Sequence, residues 1–468
     1  MLVSYLKGQS VAVLGLGNSG LAVANALMAS GAHVIAWDDN PKSVLNAKNI
    51  GIKVEDFRNI RWSNISSLVV SPGIAITGSK AHWCIKLALK FNIEVIGDIE
   101  LFVRERRFTC VNSHFIAVTG TNGKSTTVAL IAHILKRNGL DVQLGGNIGK
   151  PIMNLADLSE DRFYVIECSS YQIDISPTIN PSIGVLVSFY PDHLDRHHTV
   201  ENYARIKQHL VNNSESAIIC INDIVCEKIA SDMVDNGYKT TRIYPMPVTS
   251  AGDIYIEKLC IKLSPTSEVL LDLSNQNDEY NIHNMAAAVT VCMQLGLKKE
   301  DIKSAISSFR GLPHRRQKIA KLGNTVFIND SKATNIHSVL NAFLDEKRVI
   351  HWIVGGLAKS NDISCILAFL SKVTKAYLIG DSADSFAIQL DGKVDYEISE
   401  TLEKAVISAT SYVVNSTVPT VVLFSPGCAS FDQYKNFRER GFSFMSHVAK
   451  IDGIDMLVDI EKERQSSW

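Results

Sequence analysis

The stretch Ile116-Ala-Val-Thr-Gly-Thr-Asn-Gly-Lys-Ser-Thr-Thr127 constrains this chain more than any other. A β-type run, Phe115 to Val118, enters a loop with two glycines and leaves it at Lys124-Ser125. An apolar-periodic helix follows from Val128, so the segment reads as strand, tight loop, helix. Such a loop turns backbone N–H groups onto an anion, and the helix N-terminus adds partial positive charge. Lys124 can reach a transferable phosphate, and the Ser125 hydroxyl can hold Mg²⁺. Val118 stands where the G-x-x-x-x-G-K-[ST] pattern has its first glycine. The tight Thr119-Gly120-Thr121-Asn122-Gly123-Lys124-Ser125-Thr126 loop still reads as a nucleotide-phosphate site. An ordinary Gly-rich turn, the bland alternative, rarely ends in Gly-Lys-Ser-Thr.

At 468 residues the chain is long enough for roughly three domains. A 46% hydrophobic fraction supplies several cores and excludes a disordered or fibrous chain. The net charge of -1 gives no electrostatic argument for nucleic acid or an anionic membrane. Nine cysteines lie scattered without C-x-x-C pairs, as buried reduced thiols would. Met1-Leu-Val-Ser-Tyr5 runs straight into a strand pattern with no basic-then-apolar leader. No run reaches the ~18 apolar residues of a membrane helix. The expectation is a cytoplasmic protein without membrane insertion or nucleic-acid partner, working as a monomer.

Short apolar strands alternate with helices along the whole chain, which predicts α/β architecture with mostly parallel sheets. The first segment opens Val11-Ala-Val-Leu-Gly15-Leu-Gly17-Asn18-Ser19-Gly20, then a helix pattern, then a strand ending at Asp38-Asp39. Alone, G-x-G-x-x-G with an acidic residue about twenty positions on says NAD, but it serves any diphosphate nucleotide. Further strands appear before Ser71-Pro72-Gly73 and Asp98. The expected division is a Rossmann-like domain at 1–108, a central ATPase-like domain at 109–311, and a C-terminal Rossmann-like domain at 312–468. Gly311-Leu-Pro313 punctuates the last junction as a hinge.

Ligands of open α/β sheets bind beyond the carboxyl ends of strands, and polar residues gather there. Glu167 ends one strand pattern and suits Mg²⁺ held opposite the phosphate loop, although it could merely cap the next turn. The run Asp192-His193-Leu-Asp195-Arg196-His197-His198 ends another. Of its histidines, His193 reads as functional, and His197 and His198 as solvated loop residues. Lys207 sits in a helix-like run and reads as a solvated lysine. The third segment places Asp330-Ser-Lys332-Ala-Thr334, Gly355-Gly-Leu-Ala-Lys359 and Ser425-Pro-Gly-Cys-Ala-Ser430 after three strands. Three loops on one sheet edge with lysines and hydroxyls suit a small anionic substrate.

These motifs together resemble the Mur ligase family, over essentially the full length. The resemblance is carried by Thr119–Thr126, Gly145-Gly-Asn-Ile-Gly149, Glu167-Cys-Ser-Ser-Tyr-Gln172 and Asp192–Arg196. Gly311-Leu-Pro-His-Arg315, Asn329–Asn335 and the run from Ser425 to Gly441 extend it. That last run is most similar to the branch adding D-glutamate. The resemblance implies ATP-driven amide formation between UDP-N-acetylmuramoyl-L-alanine and D-glutamate through an acyl phosphate, in peptidoglycan precursor synthesis. It implies two Mg²⁺ ions, one held by Ser125 and Glu167, the other by His193 and a carbamylated Lys207. Lys124 would contact the β/γ-phosphates, with Asn284, Arg315, Asp330 and also Asn281 on the nucleotide side. Gly15, Leu16, Asn18, Ser19, Asp38 and Asp39 would cradle UDP, Ser71 and Gly73 would close that pocket, and Asn147 would meet the sugar-alanine. Lys332, Thr334, Lys359, Ser430 and the Phe437 backbone would bind D-glutamate. Where some members carry an acidic residue before the lysine, this chain has Leu357. Three readings remain beside this one: a sister ligase or folylpolyglutamate synthase, a dinucleotide oxidoreductase, and a regulator without catalysis.

Overall fold

The computed structural model describes residues 1–78, 80–273, 282–360 and 362–465. Residues Met1–Phe309 form one compact unit and Arg310–Trp468 another. The first unit holds two sheets. In the smaller, the strands run in the order His33–Trp37, Ser10–Leu14, Ser67–Val70, Glu94–Ile96, all parallel. The larger has nine strands and centres on His114–Thr119, flanked by Phe163–Glu167 and Ile183–Leu186. Its strands are parallel from Val142–Gly146 at one edge through Ile254–Glu257. Cys260–Leu263 and Glu268–Asp272 then finish the sheet antiparallel. Helices cover both faces of the central strands, so Phe163–Glu167 and Ile183–Leu186 are buried along their whole length.

One hydrophobic core runs through both sheets of this unit. The helix Asp98–Thr109 joins them. Its Phe102 meets Phe115 edge-on at 5.0 Å and Tyr164 at 5.2 Å, so the last helix of the small sheet packs on the strands of the large one. The helix ending at Thr109 thus belongs to the core shared by both sheets.

The second unit is a seven-stranded sheet. Asp395–Glu400, Val373–Ile379, Val349–Gly355, Thr420–Phe424 and Thr325–Asn329 pair parallel in that order. Gln317–Leu322 and Asp455–Met456 add an antiparallel edge. Trp352 is fully buried at its centre, its indole N–H donating to Ser425 O at 2.9 Å. Mostly parallel sheets were expected throughout. The antiparallel edges were not, because edge strands such as Gln317-Lys-Ile-Ala-Lys-Leu322 carry solvent-facing charges that dilute the apolar run.

Gly20 shows how tightly the small sheet meets its first helix, Asn18–Ala29. A Cβ there would lie 1.7 Å from Gly15 O and 3.0 Å from Ser71 Oγ. We expect Gly20→Ala to force the helix off the sheet and cost about 1–3 kcal/mol of stability. Thermal unfolding reads this directly, and an unchanged Tm refutes it.

Candidate active site

The phosphate loop lies at the carboxyl end of His114–Thr119, and Gly123 caps the helix Lys124–Arg137. Gly120 and Gly123 adopt φ of 147° and 85°, and both approach their neighbours too closely for a side chain. A Cβ on Gly120 would meet Val187, and one on Gly123 would collide with Asn284 Oδ1. Asn284 thus sits directly over the loop, buried near the start of the helix Ile282–Gln294. Lys124 Nζ folds back and donates to Gly120 O and Thr121 O, each at 2.8 Å. Thr121 N–H donates to Ser188 O and Asn122 N–H to Ser188 Oγ, each at 3.0 Å, pinning the loop to the neighbouring strand end. Thr119 is buried in the strand and Thr126 half-buried on the helix.

Parallel pairing sets Val118 opposite Glu167. The Glu167 carboxylate therefore faces the loop, accepting from Ser125 Oγ at 2.5 Å and from Asn147 Nδ2 at 2.9 Å. Hydroxyl and carboxylate oxygens suit Mg²⁺, which prefers a few hard protein ligands and takes the rest from phosphate and water. Among the described residues no three His, Cys, Asp or Glu side chains form a metal cluster.

His193 caps the short helix Leu194–His197 in left-handed conformation, φ 57°, a backbone state that strains a non-glycine residue. Its Nδ1 is 2.8 Å from the Tyr171 hydroxyl and its Nε2 is 3.6 Å from Asp192 Oδ2. The phenol thereby orients the ring. Lys207 corrects its reading as a solvated lysine, since it is only 1% exposed. Its Nζ donates to Gly120 O at 2.8 Å and lies 4.6 Å from the centre of the Tyr203 ring. Burial, and then the charge of Lys124, pull this amine well below the ordinary lysine range. The helix Val200–Asn212 is amphipathic, and Lys207 falls on its buried stripe with Tyr203 one turn earlier.

His197 also differs from expectation. It is 1% exposed, its Nε2 is 2.9 Å from Ser170 Oγ, and its ring stacks on Tyr203. His198 is exposed, as read.

At the small sheet, Gly15 N–H donates to Trp37 O at 2.8 Å and Leu16 N–H to Asp38 Oδ2 at 2.6 Å. Ser71 Oγ donates to Gly15 O at 2.9 Å, so the loops after two parallel strands close on each other. Asn18 and Ser19 open the first helix beside them. Asp39 lies further out, 2.8 Å from His82 Nε2. Gly73 lines a cavity of about 280 Å³ that also touches Tyr171, Arg196 and His198.

In the second unit, three loops follow adjacent parallel strands. Asp330 is buried, accepts from Ser425 Oγ at 2.8 Å and from Arg316 N–H at 3.1 Å, and burial pushes its pKa up to about 6. Lys332 Nζ sits 4.3 Å from the centre of the Phe437 ring. The Phe437 carbonyl accepts from Ser331 Oγ at 2.8 Å. Ser430 is buried, Thr334 half-buried and Lys359 exposed. Leu357, which replaces the expected acidic residue, pairs through its backbone with Ala429 at 2.9 Å. Arg315 is half-buried in this unit. Asn281 lies outside the described residues.

Residues 118–292 match the Mur ligase middle domain, and residues 9–97 the MurD-like N-terminal domain of Mur ligases. UDP-N-acetylmuramoylalanine–D-glutamate ligase of Rhizobium meliloti (strain 1021) is 47% identical over 462 residues, 97% of this chain and 99% of that protein. The chain belongs to the Mur ligase family. The enzyme of the same name from Brucella abortus (strain 2308) is 45% identical over 458 residues, 97% of this chain and 98% of that one. Among solved Mur ligases, UDP-N-acetylmuramate-alanine ligase MurC from Thermotoga maritima aligns with a TM-score of 0.57 at 15% identity. The alignment covers 93% of this chain and 98% of that one. A pseudomurein peptide ligase type C from Methanothermus fervidus gives 0.53 at 18% identity, covering 90% and 97%. At such identities the structures speak for the fold alone.

Tyr171, Tyr203 and Arg440 escaped the sequence reading. Tyr203 was findable, because it lies one helical turn before Lys207 in Tyr203-Ala-Arg-Ile-Lys207. His197 yields a pH prediction for this Mur ligase. Burial, reinforced by the charge of Arg196, lowers its pKa from 6.5 to about 4. The unfolded chain then binds the extra proton between pH 6.5 and 4, so stability falls as pH drops through that window. We expect His197→Gln to shrink the fall in Tm from pH 6.5 to 4 relative to wild type. Equal falls by calorimetry contradict this.

Proposed function

We infer that this Mur ligase adds D-glutamate to UDP-N-acetylmuramoyl-L-alanine, converting ATP to ADP and phosphate in peptidoglycan precursor synthesis. Full-length kinship with ligases of that name supports the substrates. The observation carrying the chemistry is the phosphate loop with Lys124, Ser125 and Glu167 on one strand edge, and His193 and Lys207 close by. In this reading residues 1–108 carry the UDP end, 109–311 the ATP, and 312–468 the amino acid. The enzyme works in the cytoplasm, where ATP and both substrates meet, and as a monomer. No described helix is long and apolar enough to cross a membrane.

A free carboxylate does not react with an amine, because oxide is not a leaving group. Attack of the L-alanyl carboxylate oxygen on the γ-phosphorus breaks the bond to the ADP oxygen and gives an acyl phosphate. The D-glutamate nitrogen then attacks the acyl carbon, phosphate leaves, and the amine gives up a proton. Phosphoryl transfer needs in-line positioning and neutralised charge more than covalent help. Lys124 supplies a cation that leaves the Gly120 and Thr121 carbonyls for the β- and γ-phosphate oxygens. Loop N–H groups and the helix N-terminus hold the same phosphates.

Ser125 and Glu167 would hold one Mg²⁺, and His193 with Lys207 a second; when bound, the ions neutralise phosphate charge. For that role Lys207 must be anionic. Its neutral amine adds to the carbon of CO₂, an N–C bond forms, an N–H proton passes to water, and a carbamate results. Burial beside a second cation keeps the amine neutral and nucleophilic. Gly15, Leu16 and the start of the first helix hold the UDP diphosphate. Lys332, Lys359 and Ser430 hold the D-glutamate carboxylates.

Phosphate release from ATP with UDP-N-acetylmuramoyl-L-alanine and single amino acids tests this reading. Turnover with D-glutamate is expected, and turnover only with L-lysine or diaminopimelate overturns the choice of amino acid. Lys207→Ala should lose about 10²-fold or more in kcat and recover part of it with short carboxylates. Wild-type rates in that variant end the carbamate assignment.

A further inference from the structure

Arg196 ends the Asp192–Arg196 run, and the ligase reading assigns it nothing. It is 9% exposed and lies near the end of the helix Leu194–His197. Nη1 donates to Ile74 O at 2.7 Å. The guanidinium carbon lies 5.4 Å from the centre of the Tyr171 ring. Among the described residues, Nε and Nη2 are buried without a hydrogen-bond partner. A buried cation with two unused donors is costly, and an apolar side chain of similar volume would serve packing better. Packing alone therefore does not account for it.

What Arg196 touches does. Ile74 closes the loop Ser71-Pro-Gly-Ile74 after the strand Ser67–Val70, and its N–H is bound to Ser71 O at 3.0 Å. Tyr171 lies under the guanidinium and holds His193 Nδ1 through its hydroxyl at 2.8 Å. One side chain thus links the sugar-side loop of the small sheet to the His193 loop of the large one. The cavity of about 280 Å³ lies among the same residues, lined by Gly73, Tyr171 and Arg196. An arginine can hold its charge over a ring while another of its nitrogens donates to a carbonyl.

We propose that Arg196 is a positioning residue that registers the Ser71–Ile74 loop, and with it the UDP-sugar substrate, against His193. It acts through two arms: the hydrogen bond to Ile74 O sets the loop, and the cation–ring contact with Tyr171 sets the imidazole. The nature of the substrate rests on the ligase reading above.

The two arms separate in steady-state kinetics with UDP-N-acetylmuramoyl-L-alanine, D-glutamate and ATP. Arg196→Lys keeps a cation over the ring but loses the sideways donor, so KM for the UDP-sugar rises about tenfold while kcat stays within about twofold. Tyr171→Phe keeps the ring but frees His193, so kcat falls about tenfold and that KM stays within about twofold. Arg196→Leu shows both changes. If Arg196→Leu does not fold, the Lys and Phe variants, which preserve volume, still decide. An active wild type whose Arg196→Lys variant keeps the UDP-sugar KM, or raises the three KM values alike as a loosened fold would, overturns the proposal alone. A wild type that releases no phosphate overturns the ligase reading and this proposal with it.

Discussion

Parallel pairing of His114–Thr119 with Phe163–Glu167 on one side and Ile183–Leu186 on the other is the constraint from which the first unit's chemistry follows. It puts three carboxyl-end loops side by side. Lys124 and Ser125 come from the first, Glu167 from the second, and His193 from the loop after the third. The register Val118 to Glu167 is what lets a carboxylate reach the Ser125 hydroxyl. Shifting it by one residue would turn Glu167 to the opposite face of the sheet.

Around that edge the electrostatics are deliberately unbalanced. Lys124 and Lys207 both donate to the single carbonyl of Gly120, so two lysine amines crowd one acceptor in a largely buried place. Burial and the charge of Lys124 favour a neutral Lys207, which relieves the crowding. The left-handed backbone of His193 stores a further strain, held by the Tyr171 hydroxyl and by Asp192, whose Oδ1 accepts from the His193 N–H at 2.8 Å. Strain and unmatched charge at a strand edge mark where binding energy can be converted into positioning.

The second unit solves a similar problem with one arginine. Arg440 is 1% exposed and donates to Ser331 O at 2.8 Å, Cys428 O at 3.0 Å and Ala429 O at 3.1 Å. Burial lowers its pKa only to about 10, so it remains a cation at neutral pH. It ties the loop bearing Lys332 to the loop bearing Ser430. The Leu357–Ala429 backbone pair adds the Lys359 loop. Loops far apart in sequence thus form one edge through carbonyls, which carry no side-chain signature.

The α/β class, the phosphate loop, Glu167 and His193 were legible in the sequence because they rest on local rules. Strand-then-glycine-then-helix is a short-range pattern, and polar residues after an apolar run mark strand ends. The burial of Lys207 and His197, the hold of Tyr171 on His193, and the bridging by Arg196 and Arg440 were not legible. Each depends on which strands become neighbours and which helix face turns inward. A lysine on a helix or an arginine after a turn looks the same in sequence whether water or an aromatic ring surrounds it. The chain by itself therefore determined what kind of chemistry is carried and where along its length. Only packing decided which charges leave water, because desolvation and ring contact are properties of neighbours brought from afar.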